Sequence, residues 1–200
     1  MRIQCIFVSY FKNITADVMS TISGSLEILH TCDDGYDSLG ALQMQAVFNS
    51  SRAQYQSVLL ISNMSGSGGS LGSLDWKNID FFSVNNSFVL NTTPVGCIRW
   101  VLKGGISFNG KPIVIAGTNN GYNFVGDIPS SGTVMSCLYA ASRGYTALSV
   151  GTKSSNNSLI FLSAALVTLR VLNEFLPNKE GLWSLNVPQF NDAQSWCLAY

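Results

Sequence analysis

Charge is scarce in this chain. Of its 200 residues only 11% are Asp, Glu, Lys or Arg, well below the quarter or so usual for a globular domain. Eleven cations and eleven anions cancel to a formal net charge of zero, and the cations are scattered along the sequence. The basic stripe that a nucleic-acid polymer needs is missing. Histidine is nearly absent, His30 being the only one. Cys5, Cys32, Cys97, Cys137 and Cys197 form no CxxC pair, which argues against a zinc site. A disulfide is possible, but its partners cannot be read from spacing. Cys137 falls on the apolar face of an expected helix and reads as a small buried hydrophobe. Long apolar runs are lacking as well. The best candidate, Leu159 to Leu169, is about half of what a bilayer requires and meets Arg170. No membrane span is expected.

Ser, Asn and Thr take the place of charge, so the surface is polar and uncharged. Asn-x-Ser/Thr sequons occur at Asn13, Asn49, Asn63, Asn85, Asn91 and Asn156, about twice what such a composition produces by chance. The first stretch, "MRIQCIFVSYF", has one early Arg and a short apolar run, as a signal peptide does, although Lys12 and Asp17 interrupt it. Residues 1–25 are read as a leader, either signal peptide or disordered, and residues 26–200 as one domain. A secretory context is favoured, with a cytoplasmic one as the alternative.

The patterning predicts alternating strands and helices. Leu26 to Thr31, "YQSVLLIS" to Ser62, "KPIVIAG" to Gly117, "TALSV" to Val150 and "WSLNVP" to Pro188 read as strands. Leu39, Leu42 and Ala46 place a helix over Ser38 to about Phe48. Pro94 opens a second helix, running to about Lys103 and stopped by Gly104 and Gly105. Val134, Cys137, Leu138 and Ala141 mark a third, stopped by Gly144. Ser158 to Leu176 is a fourth. Asp75 to Leu90 reads as irregular, with a short strand at "SFVL". Continuous apolar strands alternating with helices belong to an α/β, Rossmann-like, three-layer αβα fold with a mainly parallel sheet. Ligands bind such folds at the carboxyl ends of the strands.

Three polar loops fall at those ends. "CDDG" carries Asp33 and Asp34 side by side. Two unit charges about 4 Å apart repel by roughly 4 kcal/mol at an effective dielectric near 20. A helix N-terminus explains one Asp better than two; a hard divalent cation explains both. "NMSGSGG" offers the Ser65 and Ser67 hydroxyls, although a flexible surface loop is the plainer reading. "TNNGYN" holds Asn119, Asn120 and Asn123, residue types that turns favour anyway. Beyond it Ser131, Gly132 and Thr133 open a helix, as an ordinary N-cap or as an anion cradle. Each signal is weak singly. A cation site beside an anion cradle is what metal-assisted phosphate ester hydrolysis requires.

Several motifs in order resemble one family. "ILHTCDDGYDS" is similar to the "ILLTNDDGYDAPG" opening of the survival-protein-E (SurE) nucleotidases, and "ISNMSGSGGS" to their "SGxGG" loop. "TPVGCIRWVL" resembles "TPADCVKLAL", "AGTNNGYNFVGDIPSSGTV" resembles "SGxNxGxNxGxDxxxSGTV", and "WSLNVP" resembles "LNVNVP". The matches run from Leu26 to Pro188. The resemblance implies a metal-dependent phosphomonoesterase for nucleoside monophosphates or similar small phosphate esters, using one Mg²⁺ or Mn²⁺. The implied metal ligands are Asp33, Asp34, Ser65 and Asn119, with Asp33 and Asp34 also catalytic. Asn123, Ser131, Gly132 and Thr133 would bind phosphate. The sequence departs from the pattern where Cys32 replaces an Asn, where Gly96 replaces an Asp, and where "FVGD" shifts a glycine by one place. About a dozen residues follow Pro188, fewer than the family usually carries to build oligomers, and a homodimer is left open. An active enzyme would leave Asn63 unglycosylated, because a glycan there would crowd Ser65.

Other readings compete. "GGSLG" matches a nucleophile elbow with Ser70 as nucleophile, but that fold needs a His after the Ser, and His30 precedes it. Gly66, Gly68 and Gly72 make a poor dinucleotide loop, following the second strand and lacking an acidic partner. The serious alternative is a catalytically impaired relative that binds a nucleotide without turning it over.

Overall fold

Adjacent residues of the central strands are apolar on both sides of the sheet, and the fold gives each side its own cover. The computed structural model describes residues 26–51, 53–60, 79–84, 87–124, 129–174, 180–188 and 197–199. The strands are β1 (Glu27–Thr31), β2 (Gln54–Leu60), β3 (Phe81–Val84), β4 (Ser87–Leu90), β5 (Ile113–Asn120), β6 (Thr146–Thr152), β7 (Gly181–Val187) and β8 (Cys197–Ala199). The helices are α1 (Leu39–Asn49), α2 (Pro94–Trp100), α3 (Gly132–Ala141) and α4 (Ser158–Glu174). Among the described residues the sheet has eight strands in the order β3-β4-β2-β1-β5-β6-β7-β8. Its interior is parallel, and the outer pairs β3–β4 and β7–β8 are antiparallel.

Two cores follow from the alternation of side chains along a strand. Ile28, Ile113, Ile115, Leu148 and Val150 point to one face and pack with Met44, Val47 and Phe48 of α1 and Ala164, Leu169 and Leu172 of α4. Leu29, Val114, Ala116 and Ala147 point to the other, against Cys97 and Ile98 of α2 and Cys137 and Ala140 of α3. The fold is thus the expected α/β three-layer arrangement.

Details differ from the expectation in three places. The stripe Leu39, Leu42, Ala46 is not the buried face of α1: Leu42 is 43% exposed, while Met44, Val47 and Phe48 are buried. This helix packs on both the sheet and α4, so its buried arc is set by two neighbours. The helix begun at Pro94 stops where expected, its backbone leaving helical geometry at Gly104 (φ 102), but beyond Trp100 its last turn, Val101–Gly105, is a π-turn and not α-helical. Phe81–Val84, expected to be irregular, is an edge strand hydrogen-bonded to β4 alone. Cys32, Cys97 and Cys137 are buried free thiols, so the reading of Cys137 as a core residue holds. No helix among the described residues is long and apolar enough to cross a membrane.

The topology places the site. From β1 the chain crosses by α1 to β2 on one side; β5 then lies against β1 on the other side and leads into α3. Helix α1 covers one face and α3 the opposite face. The loops leaving β1 and β5 therefore diverge and leave a crevice at the carboxyl ends of the strands, where open α/β sheets bind ligands.

Candidate functional site

Asp33 and Asp34 follow β1 after Cys32 and turn into the crevice. Ser38 caps the helix beyond them, its Oγ accepting from the Ala41 N–H at 3.2 Å. The cap is therefore Ser38, and neither Asp is consumed by that duty. Asp33 instead reaches across to the first turn of α3. Thr133 gives it two bonds, from its N–H to Oδ2 at 3.1 Å and from its Oγ1 to Oδ1 at 2.5 Å. Asp34 faces β5, and its Oδ2 accepts the backbone N–H of Asn120 at 2.7 Å.

The pair is electrostatically loaded. Burial lifts the Asp33 carboxyl above the ordinary range, opposed by its Thr133 bonds. Burial, and then the charge of Asp33, lift Asp34 to about 6, opposed by the Asn120 N–H. Oxygens of both acids and Cys32 Sγ lie within 4.8 Å of one another. Burial and then the two acids hold the Cys32 thiol protonated, so it enters the cluster as a neutral group. The negative charge available to a cation is carboxylate oxygen, the donor that Mg²⁺, Mn²⁺ and Ca²⁺ prefer. Asn119 stands at the end of β5, and its Nδ2 donates to the Gly121 carbonyl at 3.0 Å, which leaves Oδ1 as its acceptor. Ser65 lies outside the described residues.

The other side of the crevice is built of donors. Asn123 is buried, and its Nδ2 has no hydrogen-bond partner among the described residues. An unsatisfied buried amide is costly, and an anion would satisfy it. Its backbone is locked: the Asn123 N–H donates to Asn186 Oδ1 at 2.8 Å, and Asn186 Nδ2 returns a bond to the Asn123 carbonyl at 3.0 Å. Beneath lies Gly151, where a Cβ would stand 2.6 Å from the Gly121 carbonyl oxygen and 2.9 Å from Asn123 Nδ2; only glycine lets the loop settle there. Ser131 caps α3 through the Val134 N–H at 3.2 Å and makes a long contact of 3.4 Å to Asn123 Oδ1. Gly132 permits close approach, since a Cβ on it would lie 2.8 Å from Pro94 and 3.0 Å from Asp33 Oδ2.

The structure therefore brings Asp33, Asp34, Asn123, Ser131, Gly132 and Thr133 to one crevice, with Asn119 at its β5 side. It gives both donors of Thr133 to Asp33. Two contributors were not singled out from sequence, Asn186 and the backbone of Asn120. Asn186 had a signal, an amide set between the apolar Leu185 and Val187 of β7.

The family model for survival protein SurE matches residues 28–198. The chain belongs to the SurE family. A 5'-nucleotidase SurE of Rhodopirellula baltica is 29% identical over 169 residues, covering 82% of this chain and 66% of the relative. A 5'/3'-nucleotidase SurE of Yersinia enterocolitica is 31% identical over 169 residues, covering 82% and 64%. The crystal structure of the SurE protein from Aquifex aeolicus superposes with a TM-score of 0.66 at 26% identity, covering 81% of this chain and 66% of that one. The chain spans 66% or less of the length of these relatives. Within the SurE match fall both Asp33–Asp34 and the Asn119-to-Thr133 stretch.

Proposed function

We propose that this SurE-family chain is a metal-dependent phosphomonoesterase acting on nucleoside monophosphates or similar small phosphate esters. The observation that carries the reading is the opposition across the crevice: two acids on one wall, and on the other the buried Asn123 Nδ2, which has no partner among the described residues, beside the start of α3. The first wall suits a cation and the second an anion. The relatives named as 5'-nucleotidases support the same reaction class.

Asp33, Asp34 and Asn119, with Ser65, would hold one Mg²⁺ or Mn²⁺, which when bound polarises a phosphoryl oxygen and lowers the pKa of a water. Asn123 Nδ2 and the Gly132 N–H would hold the phosphate oxygens. Thr133 fixes the rotamer of Asp33, and so the direction its free lone pairs face. Asp34, less encumbered by hydrogen bonds, is the acid better placed to orient or accept a proton from the attacking water.

The test is phosphate release from a chromogenic aryl phosphate with added Mn²⁺, compared with Asp33→Asn. The expected result is a loss of roughly 10³-fold, about 4 kcal/mol of barrier. Equal rates in the two proteins, or none in either, would overturn the reading. Nucleotide binding without phosphate release would establish the non-enzymatic alternative instead.

A further inference from the structure

The chain's one histidine has no part in the chemistry above, yet it is among the most enclosed polar groups of the molecule. His30 lies inside β1 with no exposure. Its Nε2 is 2.5 Å from the Gly117 carbonyl and its Nδ1 is 2.6 Å from the Tyr55 hydroxyl. A carbonyl only accepts, so Nε2 carries the proton and Nδ1 accepts from Tyr55. Burial lowers the imidazole to about 4, the Gly117 bond opposing, and the ring is neutral. Tyr55 is held in turn by Phe48 of α1, their rings 5.5 Å apart and stacked at 11°.

Gly117 is where β5 leaves its ladder. Ala116 pairs with Ser149, and pairing resumes at Asn119 with Gly151. Two residues of β5 thus face one of β6, which is a bulge. A bulge disturbs the ladder locally, and a buried carbonyl there needs another donor. His30 supplies it. The bulge also decides which way the following residues face, because one extra residue in a strand reverses them. Those residues are Asn119 and Asn120, and the Asn120 N–H is the group that binds Asp34.

We propose that His30 is a positioning residue of the site: with Tyr55 it pins the β5 bulge at Gly117 and so holds Asn119 and Asn120 in register with Asp34. The proposal rests on the cation-site reading for its binding arm alone, since the pinning itself is read without any metal. His30→Leu keeps the volume and removes both bonds. His30→Gln retains an N–H that can reach the carbonyl. Tyr55→Phe removes only the hydroxyl that donates to Nδ1.

Two measurements test it. One is amide hydrogen exchange at Asn119–Gly121 in the metal-free protein; the other is Mn²⁺ affinity by calorimetry, well below the melting temperature. His30→Leu should speed exchange at these amides and weaken Mn²⁺ at least about tenfold, a loss of about 1.4 kcal/mol. Tyr55→Phe should produce a smaller change in the same direction, and His30→Gln should recover most of both. A His30 that merely stabilises the fold would lower the melting temperature of His30→Leu and leave both measurements of the folded protein unchanged, and that result overturns the proposal. Should His30→Leu fail to fold, Tyr55→Phe decides it: amide exchange and Mn²⁺ affinity equal to those of the wild type in that variant would also overturn the proposal. Absence of Mn²⁺ binding in the wild type would defeat the cation reading, while the exchange arm would still judge the pinning.

Discussion

The two ends of β1 carry the same functional group in different company. At the start of the strand Glu27 is buried, and its two oxygens each accept a backbone N–H, from Asn109 at 2.7 Å and Gly110 at 2.6 Å. At the far end Asp33 takes both its bonds from Thr133, and Asp34 takes one from Asn120 while facing a second acid. Bonds to a charged group contribute about 1.5–3 kcal/mol each. At Glu27 they tie down the 109–110 turn and involve no like charge. At the Asp pair they leave a like charge that helps lift the Asp34 carboxyl. One strand thus begins at a carboxylate satisfied by two backbone donors and leads into a pair that we propose does the chemistry.

The largest effects should come from neutralising each end. Asp33→Asn should remove activity yet leave the metal-free protein as stable as the wild type or more so, because a like charge is gone. Glu27→Gln should do the reverse. Its amide nitrogen would face a backbone donor, costing about 2–3 kcal/mol by urea denaturation, with kcat/KM unchanged while the protein is folded. If both substitutions act on stability alone, the two ends are equivalent and the comparison fails.

Gly132→Ala is the next largest. Its Cβ must displace Pro94 or Asp33, which stand 2.8 and 3.0 Å away. Overpacking costs about 1–3 kcal/mol, and turnover should fall about tenfold as Asp33 is pushed from its place. Unchanged turnover would mean that the position of Asp33 matters little.

The smallest effect concerns protons. Asp34 is raised from 3.8 to about 6, so the folded state holds its proton longer. Its stabilising contribution is present below about pH 4 and is lost as pH rises through about 6. His30 has the opposite sign: lowered from 6.5 to about 4, its contribution is lost as pH falls across that window. The informative quantity is the rise in melting temperature on adding Mn²⁺ at each pH, in which the His30 contribution cancels. Mn²⁺ competes with protons for the pair, so the rise should be greater near about pH 7.5 than near about pH 5. An equal rise at both would place the cation elsewhere.

Much of this was legible in the sequence because it was local. Apolar strands between helices fixed the layering, and adjacent aspartates after β1 marked the crevice. What escaped depends on contacts between distant residues. Nothing near Thr133 says that its donors go to a residue one hundred positions earlier. Asn186 gains its role only because β7 lies beside β6, beneath the Asn123 loop. The buried arc of α1 departs from its apolar spacing because two neighbours define it. Phe81–Val84 carries no strand signal because an exposed edge strand needs no continuous apolar pattern.

The Asp33–Thr133 bonds have a mechanical side. Asp33 hangs from the connection to α1, which covers one face of the sheet, while Thr133 belongs to α3, which covers the other. The two bonds between them act as a clasp over the sheet's rim, and whatever loosened either helical layer would be felt first as slack in that clasp.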